Sequence, residues 1–208
     1  MKGAVQAVHP APLRHAVWHR HVNALAAPAA LRVWLTARGS LTARLSAHSS
    51  AFRVQRLHQR IALCLADEAR AIGLAGRERV WEREVLLRCD TAPVVFAHTV
   101  VPRSATASDW PLFNALGERS LGSTLFYDPL VARGELEFAR LRAGHPLARR
   151  ALAALALDGG AFAFTAAAQP VFYARRCLYR RRHGTLLVTE VFLPPVLDLA
   201  ARPLTPAK

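Results

Sequence analysis

The stretch RVWEREVLLRC, at residues 79–89, decides the fold because its side chains change character at every second position. Apolar groups and Arg83 share one face, while acidic groups share the other, and this period of two is typical of a β-strand. After a turn at residues 90–93, the apolar run VVFAHTVVP follows at residues 94–102. The two segments predict an antiparallel hairpin with a four-residue connection.

The segments outside this hairpin add further strands and several helices. Residues 52–65 and 135–141 each predict a strand, and residues 171–181 and 185–193 predict a second hairpin with a short turn. Helical spacing of apolar residues occurs in the first third of the chain and in the Ala- and Leu-rich residues 146–157. Sequential antiparallel strands with separate helices predict an α+β fold, with a single antiparallel β-sheet and helices packed on one face.

The length of 208 residues is that of one domain. Residues 1–25 lack periodicity and predict a loosely ordered N-terminal arm, residues 26–198 predict a single domain, and residues 199–208 predict a C-terminal tail. The chain contains neither the apolar core of a secretory signal nor a run of about 18 uncharged apolar residues that could span a membrane. We therefore expect a cytoplasmic protein.

The charge of the chain is strongly positive, at +14, because 28 Lys and Arg residues stand against 14 Asp and Glu residues. Anionic partners must therefore be considered. The densest group of cations, at residues 175–183, could bind nucleic acid, but a strand would divide its side chains between two faces. The other cations are scattered, which favours a solvated basic surface, and we expect no specific nucleic acid partner. Weak association with an anionic membrane surface stays open.

Motifs for metal and cofactor chemistry are missing from the sequence. Cys64, Cys89 and Cys177 form no CxxC pair, and their odd number argues against a disulfide framework. The histidines near the N-terminus lack a nearby carboxylate or cysteine partner, so we expect no metal site. The sequence also contains no GxSxG, GxxxxGK[ST], HExxH or GxGxxG motif, which leaves serine hydrolases, phosphate loops, zincins and dinucleotide-binding folds without support.

Two charged residues lie where the pattern predicts the core. Arg83 is on the apolar face of its strand, and Glu190 interrupts the apolar run LLVTEVFLP at residues 186–194. Because an unpaired buried charge is costly, one interpretation is a single buried Arg83–Glu190 ion pair. The other is a ligand cavity, in which the guanidinium binds a carboxylate and the carboxyl group exchanges a proton. His98 points the same way as the large apolar residues of its strand, as a satisfied core histidine would.

Four segments of the chain, two of which contain Arg83 and Glu190, resemble the bacterial chorismate lyase (chorismate pyruvate-lyase) family in order and spacing. They are RVWEREVLL (79–87), TVVP (99–102), LGERSLGSTLF (116–126) and TLLVTEVFLP (185–194). The resemblance implies a chorismate lyase-like fold and an enzyme that cleaves chorismate to 4-hydroxybenzoate and pyruvate, the first committed step of ubiquinone biosynthesis. It also implies chorismate as substrate, 4-hydroxybenzoate as product, and no metal or organic cofactor. We expect the enzyme to be a monomer.

The resemblance also assigns site residues. Carried over residue by residue, the substrate contacts of the family fall on Leu41, Arg83, Leu121 and Glu190. Arg83 and Glu190 would be the catalytic residues: Arg83 would bind the ring carboxylate, and Glu190 would lie near the oxygen that becomes the phenol, as acid, base or orienter. The two leucines would shape the pocket wall. His98 stands where the family often has a second arginine, which makes it a further candidate for binding substrate.

Two alternatives stay open beside this resemblance. Residues 144–168 look like an insertion relative to shorter relatives, and they could form either a lid over the pocket or an addition to the surface. The same type of fold also serves as a non-catalytic domain that senses a small molecule, such as an aromatic carboxylate. A sensor of this kind would bind a ligand in the same pocket without turning it over.

Overall fold

A computed structural model describes residues 15–157 and 170–200 of the chain. The predicted hairpin is present, and its register brings Val85 opposite Ala97. Its turn contains two residues rather than the expected four, because Ala92 pairs with Cys89 and Asp90 adopts a positive φ of 56°. A contact outside the hairpin stabilises this turn, because a carboxylate oxygen of Asp90 accepts hydrogen bonds from the backbone amides of Ser50 and Ala51, just before the neighbouring strand.

The described residues form six strands that belong to one antiparallel sheet, as the α+β prediction requires. Their order across the sheet is β1-β2-β3-β6-β5-β4. The strands are β1 (Phe52–Leu63), β2 (Arg79–Cys89), β3 (Ala92–Pro102), β4 (Val131–Arg142), β5 (Val171–Arg181) and β6 (Gly184–Phe192). The helices are α1 (Ala29–Leu35), α2 (Leu41–Ala47), α3 (Ala66–Ala69), α4 (Leu121–Tyr127), α5 (Pro146–Leu157) and α6 (Val196–Ala200). Three short 3₁₀ turns lie at Val22–Leu25, Arg103–Ala105 and Phe113–Ala115.

Helices pack on both faces of the sheet, so the predicted packing on one face describes only part of the molecule. Residues of α1, α2 and α6 form one core with Val85 and Ala97. The buried side of α5 forms a second core with Leu86, Phe96 and Val191, which point the opposite way. The physical reason is that both faces of the central strands are apolar, and an apolar sheet face must be covered.

The two ends of the domain differ from the prediction where the structure describes them. Part of the arm that we expected to be loosely ordered is packed on the sheet. His19 and Phe138 exchange two backbone hydrogen bonds of 2.8 Å, and Leu25 is buried in the first core. At the other end, the predicted tail begins within α6, where Leu199 is buried. The rest of the arm and tail, and residues 158–169 of the predicted insertion, lie outside the described residues.

Candidate active site

A cavity lies between the sheet and helices α2 and α4, on the face that carries the first core. The empty space between its walls measures about 570 Å³, including its open mouth. Small side chains from the central strands form the floor, and the two helices form the roof. The lining includes Leu41, Arg83, Ala97, Thr99, Leu121, Arg133, Arg175, Tyr179 and Glu190.

Arg83 projects from β2 into this cavity and is 2% exposed. Its Nη2 atom donates to the backbone carbonyl oxygens of Gly117 and Arg119, each at 3.0 Å. Gly117 has a φ of +55°, a left-handed conformation that glycine adopts without strain. Nε of Arg83 has no hydrogen-bond partner among the described residues, and none of their carboxylates pairs with it. A buried guanidinium that lacks a carboxylate partner is suited to bind an anion.

The surroundings of Arg83 also affect its ionisation. Burial, with a contribution from the positive charge of Arg56, lowers the pKa of the Arg83 guanidinium to about 10. The group therefore remains a cation at neutral pH, although its environment disfavours the charge. A bound carboxylate would relieve this penalty, because it would place a negative charge next to the guanidinium.

Glu190 is held by an ion pair with Arg175, its neighbour on β5. The Nε atom of Arg175 donates to Oε2 of Glu190 at 2.5 Å, and the two residues are directly paired across the strands. The Nη1 atom of Arg175 donates to carbonyl oxygens at and just after the end of α1, those of Trp34, Leu35 and Ala37, at 3.1, 3.3 and 2.7 Å. Because the last carbonyls of a helix lack partners within the helix, Arg175 stabilises this end of α1 while it orients Glu190.

The two charged residues predicted on the apolar face therefore do not pair with each other. Arg83 lies opposite Thr99, and Glu190 lies opposite Ala97, so that β3 separates them. Two strand spacings amount to about 10 Å. Strands at this separation, with the small side chains of Ala97 and Thr99 on the strand between them, leave room for a flat ring between the two charged residues.

Helices α2 and α4 meet above the cavity and bring Leu41 and Leu121 to its wall. The hydroxyl groups of Thr42 and Ser120 are joined by a hydrogen bond of 2.7 Å. Gly122 allows this close approach, because a Cβ atom there would lie only 3.2 Å from the Thr42 hydroxyl oxygen. The four residues that the family resemblance assigned to the pocket, Leu41, Arg83, Leu121 and Glu190, thus line one cavity.

His98 does not line this cavity, contrary to its prediction as a substrate contact. Along β3, Ala97 and Thr99 face the cavity, so His98 between them faces the other side of the sheet. There its ring nitrogens lie 3.0 Å from Glu84 and 3.3 Å from Glu68. His98 is 1% exposed, and it is a core histidine, as the apolar pattern of its strand suggested.

Two arginines of the cavity were missed at the sequence level. Arg175 was assigned to a basic cluster at residues 175–183, and Arg133 was not singled out. The signal for Arg175 was its position on β5, because strand periodicity places it on the same face as Cys177 and Tyr179, and both of these are buried. Arg133 lies near a register irregularity of β4, between Arg133 and Leu136, where periodicity gives no reliable face.

One group of potential metal ligands lies on the opposite face of the sheet. His58, Glu82 and Glu84 have ligand atoms within 4.8 Å of one another. Their carboxylates are already bound by guanidinium groups: Arg60 pairs with Glu82, and Arg150 pairs with both glutamates. These ion pairs neutralise the negative charge that a metal ion would require.

The described helices include none that is long and apolar enough to cross a membrane. The fold is that of an α+β protein with a cavity on one face of its sheet. At one end of the cavity lies a buried guanidinium that has no carboxylate partner among the described residues, and at the other end lies an ion-paired carboxylate. The chain belongs to the chorismate lyase family, whose model matches residues 12–201.

Individual relatives agree with this assignment. The chain is 47% identical over 190 residues to a probable chorismate pyruvate-lyase of Cupriavidus metallidurans. The aligned region covers 89% of this chain and 84% of the relative. The chain is 52% identical over 161 residues to a protein of the same name from Ralstonia nicotianae, covering 77% and 80%. Among solved structures, the C-terminal domain of PhnF is similar, with a TM-score of 0.49 and 14% identity. The match covers 71% of this chain and 86% of the PhnF chain. That structural similarity is too distant to indicate a function.

Proposed function

We propose that this protein is a chorismate lyase, which converts chorismate to 4-hydroxybenzoate and pyruvate. The observation that carries the proposal is the buried guanidinium of Arg83, which faces the cavity without a carboxylate partner in the described part of the chain. The position of Glu190 on the far side of β3 supports it. The names of the relatives indicate the same substrate.

The proposed reaction is an elimination that makes the ring aromatic. The bond between the ring carbon and the ether oxygen of the enolpyruvyl group breaks, and its electron pair leaves with that oxygen. The neighbouring carbon, which bears the hydroxyl group, loses its hydrogen as a proton, and the electrons of that C–H bond complete the aromatic ring. The released enolpyruvate takes up one proton and becomes pyruvate. Atoms and electrons balance without water, an oxidant or a reductant, so the reaction calls for no redox cofactor.

The protein has two tasks in this scheme, to orient the substrate and to manage one proton. Arg83 would bind the ring carboxylate, and its Nε atom offers an unused donor for that purpose. Glu190, held by Arg175, would lie near the hydroxyl-bearing carbon, where a carboxyl group can accept the ring proton, return a proton to the enolpyruvate or orient the hydroxyl. Leu41 and Leu121 would exclude water from the ring.

The direct experiment is to incubate the purified protein with chorismate and to quantify both products by chromatography. We expect equimolar 4-hydroxybenzoate and pyruvate. R83A should reduce kcat/KM by about 10- to 100-fold, the usual consequence of losing charge-assisted hydrogen bonds. R79A is the matched control, because Arg79 lies on the same strand but is exposed, and it should have normal activity. Binding of chorismate without any product would instead identify a sensor domain.

E190Q tests the role of the carboxyl group. The amide keeps the shape of the side chain but cannot accept a proton. A loss of kcat with little change in KM would support proton transfer by Glu190, whereas full turnover would exclude it.

Further properties of the family remain proposals for this chain. We propose that its product enters ubiquinone biosynthesis and that the enzyme acts as a monomer in the cytoplasm. The oligomeric state can be measured by sedimentation. Restoration of ubiquinone in cells that lack their own chorismate lyase would support the role in that pathway.

A further inference from the structure

The cavity is lined by further charged residues besides Arg83 and Glu190. Among the described residues that line it, the arginines are Arg83, Arg133 and Arg175, and the carboxylate is Glu190. The ion pair with Glu190 neutralises Arg175, whose other bonds go to backbone carbonyl groups. Arg83 and Arg133 therefore leave an excess of two positive charges in the cavity. Chorismate carries two carboxylates, one on the ring and one on the enolpyruvyl group.

Arg133 lies at the Glu190 end of the cavity. Burial disfavours the charge on Arg133, but its electrostatic interactions with Tyr179, Cys177 and Glu190 outweigh this effect and raise the pKa of its guanidinium. Its Nη1 atom donates to the backbone carbonyl oxygen of Arg38. No carboxylate among the described residues forms an ion pair with it.

The guanidinium of Arg133 also contacts the roof of the cavity. Its central carbon lies 5.3 Å from the centre of the Phe126 ring on α4, a distance at which cation–π attraction operates. This contact and the bond to Arg38 hold the side chain on the cavity wall, although Arg133 is only half-buried.

A second cavity begins on the other side of Arg133 and is lined mainly by cationic and apolar groups. Arg20 and Arg38 line it together with Arg133, and Glu135 is a carboxylate in the same lining. Arg133 is therefore shared by the cavity that contains Arg83 and Glu190 and by a somewhat more open, basic one. Clefts rich in one sign of charge raise the local concentration of ligands of the opposite sign.

We propose that Arg133 binds the enolpyruvyl carboxylate of chorismate, and that the basic cavity beside it, lined by Arg20 and Arg38, receives pyruvate after the bond breaks. This inference rests on the proposed function, because it assigns the second anionic group of that substrate. In chorismate the enolpyruvyl group is attached next to the hydroxyl-bearing carbon. A ring held by Arg83 at its carboxylate end therefore carries the enolpyruvyl group toward Glu190 and Arg133.

The test exploits the difference between substrate and product, because 4-hydroxybenzoate lacks the enolpyruvyl carboxylate. In R133Q, we expect KM for chorismate to rise by about 10- to 100-fold, while the Kd for 4-hydroxybenzoate changes less than about threefold. R133K should recover part of the loss, because it restores the charge without the planar guanidinium. R140Q is the matched control, since Arg140 is an exposed arginine on the same strand, and it should leave both constants unchanged.

Pyruvate is the second probe, because it retains only the carboxylate that Arg133 would bind. It should inhibit the wild-type enzyme competitively against chorismate, and R133Q should be inhibited more weakly. An unchanged KM for chorismate in R133Q would overturn the inference. Equal losses of chorismate and 4-hydroxybenzoate binding would also overturn it, since they would indicate a merely structural role. Absence of product with the wild-type protein would instead be a failure of the proposed function, and the Kd for chorismate in R133Q would still decide the role of Arg133.

Discussion

His98 is a buried ionisable residue whose charge is compensated within the fold. It lies between Glu84 on β2 and Glu68 on α3, and Arg150 of α5 donates to Glu84 at 2.6 Å. Burial disfavours the imidazolium, but the two glutamates outweigh this effect and raise the pKa of His98 to about 10. In turn, His98 and Arg150 overcome the effect of burial on Glu84 and lower the pKa of its carboxyl group to about 2. The charged His98 on β3 therefore binds β2 and α3 directly, and Glu84 extends this network to α5, on the face opposite the cavity.

This network predicts how stability depends on pH. Because the folded pKa of His98 lies above its ordinary value of 6.5, the contribution is complete below that value and is lost as the pH rises toward about 10. Between these limits only the folded state holds the proton, so the contribution falls by about 1.4 kcal/mol per pH unit. Urea unfolding of the wild type and of H98Q should show a stability difference that shrinks at this rate above neutral pH. A difference that stays constant with pH would show that His98 is not ionised in the folded protein.

The sequence revealed which residues interrupt the pattern, but not what they bind. Arg83 and Glu190 could be found because a strand has a fixed period and each charge occupies an apolar position. The partner of Glu190 was missed, although Arg175 lies directly opposite it in the β5–β6 hairpin. The sequence could not show that Arg175 also donates to the carbonyl oxygen of Trp34, which lies 141 positions away in the chain. His98 was given two interpretations, a core histidine from the apolar pattern of its strand and a substrate contact from the family resemblance. Because both faces of β3 are buried, its burial alone does not distinguish the cavity face from the opposite face.

At the scale of elements, α5 is a structural part of the second core. Its buried residues include Leu147 and Ala151, which pack with Leu86 and Phe96 on the face opposite the cavity. This packing argues against a lid formed by α5 itself. The helix is also more than an addition to the surface, because it covers apolar side chains of the central strands. The Ala- and Leu-rich sequence predicted the helix correctly, but it contained no information on which face of the sheet the helix would cover.

Substitution of Leu147 separates these roles for α5. L147A should lower the free energy of unfolding by about 3 kcal/mol, because it leaves a cavity in a buried core. It should leave KM for chorismate unchanged, since α5 does not line the active-site cavity. L157A is the control on the same helix, because Leu157 is 89% exposed, and its effect should stay within about 0.5 kcal/mol. A rise in KM with L147A at preserved stability would support a lid instead.

At the scale of the whole molecule, the charge of +14 surrounds a cavity that would take a dianion. Some of the arginines are engaged in ion pairs, as Arg175, Arg176 and Arg181 are. Others, such as Arg20 and Arg38 beside the second cavity, have no ion pair within the described residues and contribute to a positive field. A field of this kind accelerates the encounter with anions and is screened by salt, over a distance of about 10 Å at moderate ionic strength.

The strength of this attraction depends on the charge of the ligand, and this gives a test that needs no variant. Chorismate is a dianion and 4-hydroxybenzoate is a monoanion at neutral pH, so added salt should weaken the binding of chorismate more steeply. We expect log(kcat/KM) for chorismate to fall with ionic strength about twice as steeply as log(1/Kd) for 4-hydroxybenzoate, while kcat stays unchanged because the reacting groups are enclosed. Steady-state kinetics and equilibrium binding in a sodium chloride series would measure both slopes. Equal slopes for the two ligands would mean that the second carboxylate of chorismate gains nothing from the positive surface or from Arg133.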